Sequence, residues 1–137
     1  MITADQLVVH ALGDYVFQSD WMAKGKTKWW FPCLVHVAFY SAGFLLLRPS
    51  FKALAVIAVT HYFIDRYRLA RILVYMKNWM PAKPEYWLKN WGPIFWYHTL
   101  TPTGYPEGTP DWMAVWLLII ADNIMHVAIN GAALKWL

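Results

Sequence analysis

The run FKALAVIAVTHYFIDR at residues 51–66 decides the fold. Residues 53–59 are apolar without exception, and then two ionisable side chains arrive four positions apart, His61 and Asp65, with Arg66 directly after them. On a helix, a spacing of four puts both side chains on one face, one turn apart. A segment this apolar that still presents an imidazole and a carboxylate together is suited to turn that face towards other helices. The helix begins after Pro49-Ser50 and is expected to continue to about Asn78, apolar first and basic later through Arg66, Arg68 and Arg71.

Three further helices are expected around it. Residues 3–22 carry His10, Asp14 and Gln18 at a spacing of four, a polar stripe in an otherwise apolar segment that Gly25 closes. Residues 30–47 are almost wholly apolar apart from His36 and Ser41, and stop before Arg48-Pro49. A last helix starts at Pro110-Asp111, with Pro near its first turn, and runs to about Lys135 through Asp122 and His126. No repeat and no Ser/Gly linker divides the chain, so residues 1–137 are expected to form one all-α domain, a four-helix up-and-down bundle embedded in a membrane. Residues 79–110, with six of the eight prolines and four tryptophans, are expected to form a long loop or lid between the third and fourth helices.

Composition leans the same way. Only 15% of residues are charged, against roughly 25% in ordinary soluble domains. The single cysteine, Cys33, excludes an internal disulfide framework. The N-terminus lacks the basic flank and unbroken apolar run of a cleavable leader, so the first helix is expected to stay in the mature protein. Helices of this length sit at the boundary between membrane spans and buried core helices, which leaves a soluble cytoplasmic protein as the alternative. In an up-and-down bundle, nine of the twelve basic residues (Lys24, Lys26, Lys28, Arg66, Arg68, Arg71, Lys77, Lys83 and Lys89) share one end. In a bacterial inner membrane that end faces the cytoplasm.

The chemistry lies in three pairs at one spacing: His10 with Asp14, His61 with Asp65, and Asp122 with His126. Five histidines and six aspartates in the chain yield roughly 0.4 such pairs by chance. Imidazole nitrogen and carboxylate oxygen are the donors that zinc and similar ions take, and carboxylates facing an apolar interior need a cation. With His36 added, seven donors exceed one tetrahedral shell, so two zinc ions bridged by an Asp are expected, with Gln18 and Asn130 as outer hydrogen-bonding groups. Against this stand two plainer readings: a lone histidine such as His36 as a hydrogen-bonded core residue, and the pairs as surface salt links. The second fits poorly with neighbours such as Ile119-Ile120 and Val127-Ala128.

Arg66 and Arg68 at the mouth of such a site are expected either to clamp a phosphate and steady charge during catalysis or to bind anionic headgroups. His98 in the Trp-rich loop is a possible extra acid or ligand, though a plain loop histidine is the simpler reading. The alternation of Trp and Lys in residues 79–91 fits interfacial anchoring or stacking on single-stranded nucleic acid. No Gly-rich phosphate loop, HExxH, paired CxxC or nucleophilic Ser motif is present.

The stretch Leu7-Val-Val-His10-Ala-Leu-Gly13-Asp14-Tyr-Val-Phe-Gln18-Ser-Asp-Trp21-Met-Ala-Lys24, with His36 and then His61-Tyr-Phe-Ile-Asp65-Arg66, resembles the small bacterial and phage membrane family called domain of unknown function 3307. The likeness runs through the first three helices and on to Asp122 and His126, and it implies a helical membrane protein. More distantly, the repeated HxxxD pairs are similar to those of zinc-dependent phospholipase C, single-strand nucleases and membrane-bound metal-dependent hydrolases. The expected function is therefore a metal-dependent hydrolase of phosphoester bonds in a lipid, nucleotide or nucleic acid. The alternatives are a non-enzymatic membrane protein with a structural or transported metal, and a module that binds an anionic ligand or partner.

Overall fold

The computed structural model describes residues 2–79, 101–106 and 108–137, and all regular secondary structure among them is helical. The first helix, α1 (Ala4–Ala11), starts where the Thr3 hydroxyl accepts a hydrogen bond from the Gln6 backbone N–H at 3.2 Å. It widens into one π-helical turn, Leu12–Val16, in which the Phe17 N–H reaches back five residues to the Leu12 carbonyl at 2.9 Å. Ser19 then caps a new short helix, α2 (Asp20–Gly25), accepting from Met22 N–H at 3.3 Å. The expected single helix over 3–22 is thus divided, because a serine with extended backbone sits where the helix would otherwise continue.

After α3 (Trp30–Phe44) the chain tightens into a 3-10 turn, Leu45–Leu47, which Arg48 ends in a left-handed conformation with φ 50°. Ser50 caps α4 (Phe51–Tyr67) through the Ala53 N–H at 3.1 Å. Arg68, with φ 51°, closes α4, and α5 (Leu69–Trp79) follows at once. The expected helix over 51–78 is therefore broken at Arg68, since a left-handed residue cannot carry the hydrogen-bond ladder onward; for a residue other than glycine that conformation costs about 1–2 kcal/mol. The last helix, α6 (Asp111–Trp136), begins after Pro110 as expected, and spans 26 residues without a break. Among the described residues there are accordingly six α-helices, two of the four expected ones each being split in two.

The chain forms two compact units. The first, Met1–Arg68 with Asn123–Leu137, contains α1 to α4 and the C-terminal part of α6. Its apolar core is small: Val9, Tyr40, Phe44, Ala53, Ile57 and Ala133. Gly13 is required there, because a Cβ at that position would stand 2.5 Å from Tyr40 Cδ2. The second unit, Leu69–Asp122, packs Val74, Tyr105 and Ala114 with Leu118 and Ala121. Thr101 Oγ1 donates to the Tyr105 carbonyl at 2.7 Å, and the Lys77 ammonium lies over the Tyr105 ring.

Polar side chains share the interior with the apolar core, and many large apolar ones lie at the surface. Gln6, His10, Asp14, His36, His61, Asp65, His126 and Asn130 are buried, while Trp29, Trp30, Leu46, Phe51, Trp112, Trp116, Ile124 and Trp136 are exposed. Among the described residues two helical stretches are long and apolar enough to cross a membrane, Trp30–Leu47 and Asp111–Trp136. Of the latter's apolar window 11% is buried, and of the former's 33%. Most of the expected loop, including Lys83, Trp87, Lys89, Trp91, Trp96 and His98, lies outside the described residues.

Candidate metal centre

Three helices and the π-helical turn of the first unit direct polar side chains to one point. The wide turn after α1 buries Asp14, and Gly13 beside it leaves room for the Tyr40 ring. The middle of α3 supplies His36, the end of α4 supplies His61 and Asp65 from one face, and α6 supplies His126. All five are buried.

Four donor atoms converge most closely. His36 Nε2 and His61 Nε2 are 2.9 Å apart. Asp14 Oδ1 lies 3.3 Å from the first and 3.5 Å from the second. Asp65 Oδ2 lies 3.1 Å and 3.2 Å from the same two nitrogens. A tetrahedral ion with bonds of about 2.0–2.1 Å has edges of roughly 3.3–3.4 Å between its donors, close to the separations of each carboxylate oxygen from the two imidazole nitrogens, while the nitrogens themselves lie closer together. Two imidazole nitrogens this close must share a proton or a cation, because two N–H groups would repel. Asp14 Oδ1 is buried and accepts no aligned hydrogen bond from the protein. Two groups of three donors fit an ion, Asp14 with His36 and His61, and His61 with Asp65 and His126; they share His61.

The charge of the centre is only partly balanced from within. Lys26, from the end of α2, places Nζ 2.9 Å from Asp65 Oδ2 with its side chain 18% exposed.

Around the donors runs a hydrogen-bonded layer. His10 Nδ1 meets the Tyr40 hydroxyl at 2.7 Å, and His10 Nε2 meets Asn123 Oδ1 at 2.7 Å. Asn130 Nδ2 donates to the same Tyr40 oxygen at 2.6 Å, and Asn123 Nδ2 donates to the exposed Tyr15 hydroxyl. Both nitrogens of His10 are thereby occupied, while its Nδ1 stays 3.5 Å from Asp14 Oδ2.

Of the residues expected to bind metal, the structure brings together Asp14, His36, His61, Asp65 and His126, and sets His10 beside them in the hydrogen-bonded layer. Asp122 is half-buried and belongs to neither donor group; its neighbour Asn123 is the one that reaches His10. Asn130 holds Tyr40, whereas Gln18 donates to the Asp14 backbone carbonyl at 3.1 Å. The Arg66 guanidinium bonds the Thr27 and Lys28 carbonyls, and Arg68 is the left-handed residue after α4. Sequence reasoning missed Lys26, Tyr40 and Asn123 as parts of the centre. Tyr40 stands four residues after His36, the very spacing used to find the pairs. Lys26 carried no such signal, because a loop brings it in.

No curated protein and no solved structure matches the chain, so the likeness to zinc-dependent phospholipases and nucleases rests on residue spacing alone. One family's sequence model matches residues 2–91, which takes in Asp14, His36, His61 and Asp65 and stops short of α6. With that match over 90 of its 137 residues, the chain belongs to the family described as protein of unknown function (DUF3307).

Proposed function

We propose that this protein is a membrane-embedded, metal-dependent hydrolase of phosphoester bonds, built on a four-helix up-and-down bundle. In that bundle α1 with α2 forms the first rod, and α3, α4 and the last part of α6 form the other three, with the basic end in the cytoplasm. The observation that carries the reading is the convergence of Asp14, His36 and His61 on one point with Asp65 beside them. Two histidines and one carboxylate leave a fourth position open, the pattern of catalytic zinc sites. A divalent ion held there would act as a Lewis acid and bring the pKa of a bound water close to neutrality. Asp65 Oδ2, within 3.2 Å of both imidazole nitrogens and 2.9 Å from Lys26 Nζ, would lie beside that ion. Zinc is the proposed ion, and iron also takes two-histidine, one-carboxylate sites.

The sequence suggests two ions; because the two donor groups share His61, we take one ion as the simpler proposal. A second ion would rest on Asp65 Oδ1 and His126, whose Nε2 is 3.5 Å away. A second reading has its own support: with Asp65 Oδ2, 3.1 and 3.2 Å from the two imidazole nitrogens, as a fourth protein ligand, the shell would be closed, as in a structural metal site.

Elemental analysis of protein purified in detergent, with His61→Ala and Asp14→Asn variants, tests the centre. One ion per chain in the wild type and little in either variant is the expected result. Equal metal in all three, or none in the wild type, would remove the site. Hydrolysis of bis(p-nitrophenyl) phosphate by the loaded protein, lost in Asp14→Asn, separates catalysis from a structural metal.

A further inference from the structure

Lys26 is the odd member of the centre. Its charge is opposite to that of the two aspartates, and its side chain is 18% exposed, against 10% for Asp14, 3% for Asp65, 1% for His36 and none for His61. Among the charged groups around the donor atoms it is the one that reaches furthest towards solvent. The loop that carries it is held from both sides: Gly25 packs so close to Pro32 that a Cβ would stand 2.7 Å from its ring, and Arg66 bonds the carbonyls of Thr27 and Lys28. Lys24 and Lys28 add charge to the same loop, although Lys24 is paired with Asp20 at 2.8 Å.

Charge counting gives this placement a consequence. Asp14 and Asp65 contribute two negative charges and Lys26 one positive charge. A divalent ion at the donor atoms therefore leaves the buried centre with one net positive charge, and an anion is what balances it. The ion would also compete with the Lys26 ammonium for Asp65 Oδ2, the oxygen that lies 2.9 Å from Nζ and near both imidazole nitrogens. Lysine carries a compact charge on a flexible stem, which suits a change of partner at the outer side of the site.

We propose that Lys26 is the anion-anchoring residue of this centre, exchanging Asp65 for an oxygen of a phosphate or phosphoester group once the metal is bound. The inference rests on the metal reading above and assigns to Lys26 the role that sequence spacing gave to Arg66 and Arg68, of which Arg66 holds the loop instead. The ligand chemistry is a phosphate oxyanion, from free phosphate or from a lipid headgroup.

The test is calorimetric titration of zinc-loaded protein in detergent with inorganic phosphate and, separately, with dihexanoyl phosphatidic acid, metal content being measured on every sample. Lys26→Met is expected to keep its zinc and to weaken phosphate binding by about 10- to 100-fold, the loss of one charge-assisted hydrogen bond. Lys26→Arg, which keeps the charge and tests the idea if the first variant folds poorly, is expected to bind within about threefold of wild type. Binding of either ligand that depends on Lys26 supports the assignment and identifies the source. Wild-type affinity in Lys26→Met, or loss as large in Lys26→Arg, overturns it. Absence of zinc from the wild type overturns the metal reading itself and is seen directly in the metal measurement.

Discussion

Tyr40 lies flat against His61, with ring centroids 3.7 Å apart and 23° between the planes. A stack of this kind fixes the plane of the imidazole and so the direction in which Nε2 points. The hydroxyl at the other end of Tyr40 is held by His10 and Asn130. One buried side chain thereby links the donor atoms to the hydrogen-bonded layer from α1 and α6, which explains why an aromatic with a polar tip occupies the middle of α3.

Tyr40→Phe keeps the stack and removes the hydroxyl. His10 Nδ1 and Asn130 Nδ2 then lose a shared buried partner, so stability should fall by about 1–3 kcal/mol. Thermal unfolding in detergent reads this. Metal content should stay near one ion per chain, and its complete loss would show that the hydroxyl does more than orient its neighbours.

Gly13→Ala should be worse tolerated than its size suggests. The added methyl would meet the Tyr40 ring at 2.5 Å, in a buried turn. The ring must shift, and the stack on His61 with it. A cost of about 1–3 kcal/mol is expected, accompanied by reduced metal content. Wild-type unfolding and wild-type metal together would show that the turn yields freely.

The all-helical class was legible because periodicity is local: residues 51–66 announce their own face. The inward set was legible for the same reason, since His61 and Asp65 lie one turn apart on one helix. What the chain concealed depends on its turns. Ser19 and Arg68 interrupt two helices whose apolar patterns run straight through, because the pattern reports burial and not backbone direction. Asp122 and Asn123 flank the same face of α6 three or four positions before His126, and spacing does not choose between them; the structure gives the contact with His10 to Asn123. Lys26 was hidden because its place is set by the Arg66 bonds to Thr27 and Lys28, 39 and 38 residues away in sequence.

Asp65→Asn and Asp122→Asn separate the two readings of the donor set. Asp65 is within 3.2 Å of both close imidazole nitrogens, while Asp122 belongs to neither donor group. Elemental analysis should find metal content at least halved in the first variant and unchanged in the second. Equal loss in both would restore Asp122 as a ligand.

Placing the chain in a bilayer has a consequence on α6 that a water-soluble bundle does not share. Ile124 is 62% exposed, on a helix whose only Lys is in its last turn. A helix of 26 residues rises about 39 Å, more than the roughly 30 Å hydrocarbon core. Ile124→Arg would put a charge against lipid and cost roughly 3 kcal/mol of insertion, whereas an exposed position in water changes stability by no more than about 0.5 kcal/mol. The fraction of protein resisting carbonate extraction from membranes should fall in this variant, and Ile124→Leu should match the wild type. An Ile124→Arg protein that stays in the membrane fraction, or a wild type that never enters it, would take α6 out of the bilayer.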